Sequence, residues 1–344
     1  MQPEAKSPTT ALVLETINLG SGRRDPDIVE RSLTRLLVRL CGQTRPLASL
    51  DEVIIVHDGL APGARDRLQE TAGRALAFVP LDADAADYYA AKDAGFAAAR
   101  AEVIVFADAD CWPDPEWLQA LLDPFARGDV DAVAGRTSYR ADLFGAAATA
   151  IDFMYFASPL GDGCTRNFYA NNVAFRRDVL AREGFGAHEF YRGSCQVLGL
   201  ALQARGVPIH FAVRAHTVHR FPDSAADLLR LRLLRGADSV ELAPHLADAY
   251  LPARARWLGR LGPLSGLAVL AARCVCSLIA LRRQRLPAAR GVRWFAGAAL
   301  VGAIHAADAA GAIIRGLRLG LAPPARRART LGYHGDVDRL AAQP

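Results

Sequence analysis

The chain has almost no lysine. Of its 41 basic residues only Lys6 and Lys92 are lysines, and the rest are arginines. Such a bias reflects base composition, so arginine abundance alone says nothing about nucleic acid. The six cysteines (Cys41, Cys111, Cys164, Cys195, Cys274, Cys276) lack the paired spacing of a structural zinc site. They read as small buried hydrophobes in a reducing compartment, not as disulfides. Residues 1–10 are polar with two prolines and are expected to be disordered. They lack the apolar core of a signal peptide, and the following domain is expected to stay in the cytoplasm. No internal repeat or low-complexity tract stands out. With 51% hydrophobic and 22% charged residues over 344 positions, a disordered chain is excluded, and one large core or two smaller ones can be buried.

Two common nucleotide-binding devices are also missing. Gly20-Ser21-Gly22-Arg23-Arg24-Asp25, after the first expected strand, lacks the third glycine of a dinucleotide fingerprint. No P-loop occurs either. A sheet that binds a nucleotide here must do it another way.

What is present points to that other way. Val103-Ile104-Val105-Phe106-Ala107 is an uncharged run expected as a buried strand, and Asp108-Ala109-Asp110 follows at its carboxyl end. In an open α/β sheet that end opens into the ligand crevice. Two acids at the edge of a core are costly unless compensated, and a divalent cation gripping a diphosphate compensates them. A cap for the next helix is supplied separately, with Asp114 at the N-cap and Pro115 in the first turn. Asp108 and Asp110 are therefore left for chemistry.

Strand and helix signals alternate along the first two thirds. Strands are expected at 11–19, 53–56, 76–79, 103–107, 131–135, 173–175 and 209–213. Helices are expected from Asp25-Pro26 onward and at 61–72, 86–100, 115–126, 176–183 and 194–205. Residues 143–158 are apolar apart from Asp152, a helix packed on the sheet or lining an acceptor groove. This order marks an α/β fold with a mostly parallel sheet flanked by helices. Polar groups end three strands, at Glu15-Thr16-Ile17-Asn18, His57-Asp58-Gly59 and Asp108-Ala109-Asp110. In a parallel sheet those ends lie side by side, as a nucleoside diphosphate with a cation requires.

The ordered segments ETIN, IIVHDG, AAKDAG, VIVFADAD and NNVAFRRDVL resemble the family 2 glycosyltransferases of the GT-A fold, over roughly residues 11–220. The resemblance implies inverting transfer of a hexosyl group from a nucleotide sugar, with UDP as the default nucleotide and Mg²⁺ or Mn²⁺ as cofactor. It places Glu15 and Asp58 at the nucleoside, Asp108 near ribose and metal, and Asp110 at the metal. Lys92 falls near the diphosphate, and His219, with His216 competing, near the metal. Inversion needs a base opposite the leaving group. The family's Glu-Asp pair is absent from the helix that begins near Arg192-Gly193-Ser194-Cys195-Gln196. Glu189 and Asp162 are the remaining candidates for that role. A phosphate acceptor, already ionised, needs no strong base.

Beyond residue 222 the composition changes. Residues 223–245 form a Leu/Arg helix, and Leu264 to Leu281 and Phe295 to Ile314 approach the ~20 residues that span a bilayer. Arginines flank both ends of both segments, with no inside–outside alternation. A re-entrant hairpin or two interfacial helices fits this better than two spans. A soluble helical subdomain remains the alternative. The expected organisation is a transferase domain at 11–222, a helical membrane-associated region at 223–320 and a flexible tail at 321–344. The expected setting is the cytoplasmic face of the cell membrane, with a glycan or polyprenyl-linked acceptor. A nucleotidyltransferase and a catalytically degenerate GT-A domain acting as an assembly factor are the alternatives. A nucleic-acid-binding module is disfavoured, because the basic residues flank apolar helices, not aromatic platforms.

Overall fold

The computed structural model describes residues 7–19, 25–82, 87–128, 130–185, 193–284 and 287–317. The expected tail at 321–344 lies outside them. The strands are β1 (Thr10–Glu15), β2 (Glu52–His57), β3 (Ala77–Pro80), β4 (Val103–Asp108), β5 (Cys111–Pro113), β6 (Ala132–Ser138), β7 (Cys164–Thr165), β8 (Asn172–Arg176) and β9 (Ile209–His219). The helices are α1 (Pro26–Cys41), α2 (Ala64–Ala72), α3 (Tyr88–Ala98), α4 (Trp117–Arg127), α5 (Leu143–Asp152), α6 (Arg177–Glu183), α7 (Ser194–Ala204), α8 (Ala225–Tyr250), α9 (Pro263–Arg283) and α10 (Arg293–Leu317).

One sheet runs β3-β2-β1-β4-β8-β6-β9-β5, with β7 beside β9. It is parallel from β3 through β4 and mixed beyond, because β8 runs antiparallel to both β4 and β6. The tips of β2, β1 and β4 are thus adjacent, and Glu15 lies in register with Asp108. Side chains of β1 alternate between two cores, as a strand buried on both faces must. Leu12 and Leu14 pack with Leu33, Leu37, Leu118 and Leu121, while Ala11 and Val13 pack with Tyr89, Ala91, Leu198 and Leu202.

Helix α1 begins as expected: Asp25 caps it by accepting from Ile28 N at 3.2 Å, with Pro26 in its first turn. The cap expected at Asp114 is a correction. Helix α4 starts at Trp117 with no side-chain cap, and the Asp114 carboxylate turns instead to His216. The carboxylate takes the 2.7 Å contact with the imidazole in place of a backbone N–H of the helix.

Strand β9 is longer than its sequence suggests. It pairs Ala212 with Gly135 and then His216 with Arg136, so Val213, Arg214 and Ala215 bulge out of register. Buried Asn172 holds the bulge, donating to the carbonyls of Arg136 and Ala215 at 3.0 Å each. Past the bulge the strand delivers His216 and His219 to the site.

Helices α8, α9 and α10 pack on one another, and α9 and α10 also pack on α5. Ala146, Ala147, Ala150 and Ile151 of α5 meet Leu281, Val301 and Ile304. Gly236 and Gly311 let α8 and α10 touch backbone to backbone, since a Cβ on Gly236 would sit 1.9 Å from the Asp308 carbonyl oxygen. That approach places Arg232, fully buried, between Asp152 of α5 and Asp308 of α10, at 2.7 Å from each. The opposite face of α9 and α10 is apolar and exposed at Leu264, Val275 and Phe295, with Val292 exposed just before α10.

Candidate active site

Asp108, Asp110, Cys111 and His219 place one ligand atom each within 4.8 Å of one another, and all four are buried. Asp108 and Asp110 come from the end of β4 and the link to β5. His219 comes from the end of β9, paired with Cys111. Its Nδ1 lies 2.8 Å from the Arg220 carbonyl, which can only accept, so Nδ1 carries the proton. The lone pair is then on Nε2, which faces Asp110 Oδ2 at 3.7 Å. This is the orientation a metal-binding histidine needs.

Asn18, from the 3-10 turn after β1, donates to Asp110 Oδ2 at 3.1 Å. Burial pushes the Asp110 carboxyl above its ordinary range, and the Asp108 charge adds to this. His219, Arg220 and Asn18 offset the effect only in part. A desolvated acid beside a second acid is a place where a cation binds well. Burial also pushes the Cys111 thiol well up. Two carboxylates and an imidazole are donors that fit Mg²⁺ or Mn²⁺.

Lys92 is fully buried on α3, beneath Asp108. It makes an ion pair with the Asp108 carboxylate and donates to the Ala107 carbonyl at 3.0 Å. Tyr88 donates to Asp108 Oδ2 at 2.9 Å. Lys92 thus serves Asp108 from inside the fold and does not open on either cavity described below. Glu15 and Asp58 are buried at the tips of β1 and β2. Asp162 is exposed in the turn before β7, and Glu189 lies outside the described residues. Cys41 is exposed, unlike the buried cysteine that its residue type suggests.

Two cavities meet at Phe153 and His219. The smaller, about 100 Å³, is lined by Asn18, Asp108, Gln196, Arg235, Asp238 and Arg273, among others. The larger, about 800 Å³, is lined by aromatic residues including Tyr139, Tyr155 and Phe221, by Arg136, Arg140 and Arg283, and by Asp114, Ser138 and His216. Asp152 borders the smaller cavity, but it is spoken for. Burial raises its pKa, yet Arg232 and Arg235 together hold it well below the carboxylate range. Sequence reasoning missed Asp238, Arg235 and Arg273, which sit in a Leu/Arg-rich region where helical spacing does not say which polar residue turns inward. Asn18 was visible as the end of a motif but had no assigned role.

A parallel half-sheet with acids at adjacent tips, a histidine closing the cluster and a large cavity beside it define a GT-A-type domain. Residues 26–182 match the family model described as glycosyl transferase family 2. Residues 26–182 are therefore similar to a family 2 glycosyltransferase domain. Over 91 residues it is 31% identical to EpsH of Bacillus subtilis (strain 168), named as a glycosyltransferase; the match spans 26% of each chain, about a quarter of EpsH. The fold is similar to that of the mannosyltransferase PcManGT from Pyrobaculum calidifontis, solved with GDP-Man and Mn²⁺. That likeness has a TM-score of 0.55 and 20% identity, and it covers 92% of this chain and 89% of the other. Glucosyl-3-phosphoglycerate synthase from Mycobacterium tuberculosis is more distant, with a TM-score of 0.45 and 17% identity over 71% and 81% of the two chains.

Proposed function

We propose that the protein moves a hexosyl group from a nucleotide sugar to a glycan or polyprenyl-linked acceptor, with inversion, using Mg²⁺ or Mn²⁺. The observation that carries this reading is the convergence of Asp108, Asp110 and His219 within 4.8 Å, beside a cavity of about 800 Å³. Asp110 and His219 Nε2 hold the cation. Asp108, neutralised from behind by Lys92 and Tyr88, completes its surroundings. Glu15 and Asp58, at the neighbouring strand tips, accept hydrogen bonds from the nucleoside. When bound, the cation stabilises negative charge on the departing diphosphate. UDP is the default nucleotide by family, and the PcManGT complex with GDP-Man makes GDP the first competitor.

We further propose that the site works at the cytoplasmic membrane face. Helices Leu264–Arg283 and Arg293–Leu317 are long and apolar enough to cross a bilayer. Their inner faces are packed on α5 and on each other, and their exposed apolar residues stand among Arg282, Arg283, Arg290 and Arg293. That pattern suits helices lying in an anionic interface.

A screen of UDP- and GDP-sugars for thermal stabilisation, with and without Mn²⁺, tests the reading. A ligand at 100 times its dissociation constant adds about 2.7 kcal/mol. Stabilisation that requires Mn²⁺ supports the proposal, and no shift with any donor refutes it. The head of α7 carries Ser194-Cys195-Gln196 and no acid, which favours one second reading, a donor-binding domain without turnover that serves as an assembly factor. In that case Asp110→Ala would leave biological function intact.

A further inference from the structure

We propose that Ser138, His216 and Asp114 form a proton relay that deprotonates the acceptor, and that the acceptor's nucleophile is therefore a hydroxyl group. The proposal rests on the transferase reading and deepens it. Three elements supply the residues: the link before α4, the end of β6 and the bulged half of β9. His216 Nδ1 lies 2.7 Å from Asp114 Oδ2, and its Nε2 lies 2.8 Å from Ser138 Oγ. An ionised carboxylate only accepts, so Nδ1 carries the proton and Nε2 offers its lone pair to the Ser138 hydroxyl. Ser138 Oγ then remains an acceptor for one more hydroxyl.

All three residues line the 800 Å³ cavity, which His219 of the metal cluster also borders. The relay runs toward that cluster. Strands β6 and β9 are parallel, His216 pairs with Arg136, and Ser138 pairs with Val218, next to His219. Tyr139, which follows Ser138, packs its ring 5.6 Å from that of His219. Other charges face His216 from each side: Arg136 on β6, Arg39 on α1, Arg140 and Arg283 across the cavity, and the Arg214–Glu116 pair beyond the bulge. The hydrogen bond from His216, with Arg136 and Arg39, holds Asp114 below the ordinary carboxylate range, so it stays ionised to stabilise an imidazolium.

Size favours this cavity as the acceptor's. Ligand pockets measure roughly 300–1,000 Å³; the 800 Å³ cavity falls in that range and the 100 Å³ cavity that holds Asp238 does not. In the step, the acceptor oxygen bonds the anomeric carbon. The bond from that carbon to the diphosphate breaks, and its electron pair leaves on the nucleoside diphosphate. The acceptor proton passes to Ser138 Oγ as the serine proton passes to His216 Nε2.

The test uses the full chain with Mn²⁺, UDP-glucose and GDP-mannose as donors, and octyl glucoside, farnesyl phosphate and water as acceptors. His216→Gln is expected to bind the donor as wild type does, while kcat to octyl glucoside and to water falls about 100-fold or more. The pH profile of the wild-type rate is expected to change in His216→Gln. Ser138→Ala should lose kcat and Ser138→Thr should retain it, a contrast that stands even if the histidine variant misfolds. Wild-type kcat and pH profile in both His216→Gln and Ser138→Ala would overturn the relay. So would a loss confined to Asp238→Asn, or wild-type turnover with farnesyl phosphate alone. A wild-type protein that binds neither donor removes the transferase reading, and the relay falls with it. Donor binding without turnover of any acceptor favours the assembly-factor reading, and the relay falls with the transferase reading.

Discussion

Asp108 and Asp110 lie two residues apart, but they are held differently. Asp108 has a buried ammonium behind it and a phenol beside it, whereas Asp110 leans on Asn18 and on the His219 imidazole. Replacing Lys92 by Met leaves Asp108 buried without its cation, at a cost of about 3–5 kcal/mol. Urea unfolding of Lys92→Met should show that loss, and Lys92→Met/Asp108→Asn should recover most of it; equal losses would mean that the pair is not coupled. The raised pKa of Asp110 sets a pH dependence. Its protonated form is favoured in the fold, so its stabilising effect is full below the ordinary Asp value near 3.9 and is lost as pH rises through the raised value. The metal-free protein should weaken over that window and Mn²⁺ stabilisation should grow, as thermal melts at stepped pH would show. At this scale the acids of the Asp108-Ala109-Asp110 segment were legible because nothing local needed them. Lys92's position was not, since a lone lysine on a helix gives no sign of pointing inward.

At the scale of elements, the link between the transferase domain and the C-terminal helices is ionic as well as apolar. Arg232 of α8 reaches Asp152 on α5 and Asp308 on α10. Its removal leaves buried Asp308 without its guanidinium and Asp152 with Arg235 alone, so Arg232→Met should cost about 3–5 kcal/mol. The triple change Asp152→Asn/Arg232→Met/Asp308→Asn should be milder, and a triple variant no better than the single would show that the charges are not what matters. Asp152 is depressed, so its contribution is present above the ordinary Asp value and is lost as pH falls below about 4. Acid should therefore loosen α8–α10 from α5. Most strands and helices were legible because burial on both faces writes continuous apolar runs. The far half of β9 was not, because Val213-Arg214-Ala215 breaks the alternation where the strand bulges. Strand β5 has three residues, too few for a pattern.

For the whole molecule, α9, one of the two helices that resemble membrane spans, also walls the two cavities, through Arg273, Ile279 and Arg283. It belongs to the site as well as to any attachment. Replacing exposed Val292 and Phe295 by Ser should lower partitioning onto anionic vesicles by about tenfold or more, at 1.5–3 kcal/mol per buried side chain, without lowering the melting temperature. Unchanged cosedimentation would remove the attachment. The length and composition of these segments were legible, but their packing on α5 was not, since composition cannot say which face of an apolar helix meets protein. The central claim is that neighbouring strand tips hold one cation together with a nucleotide, and titration of free Mn²⁺ by electron paramagnetic resonance reads it most directly. Wild-type protein should bind one Mn²⁺ more tightly in the presence of UDP or GDP, and Asp110→Ala and His219→Ala should lose that binding. Equal Mn²⁺ uptake by wild type and Asp110→Ala, or uptake indifferent to either nucleotide, would contradict it.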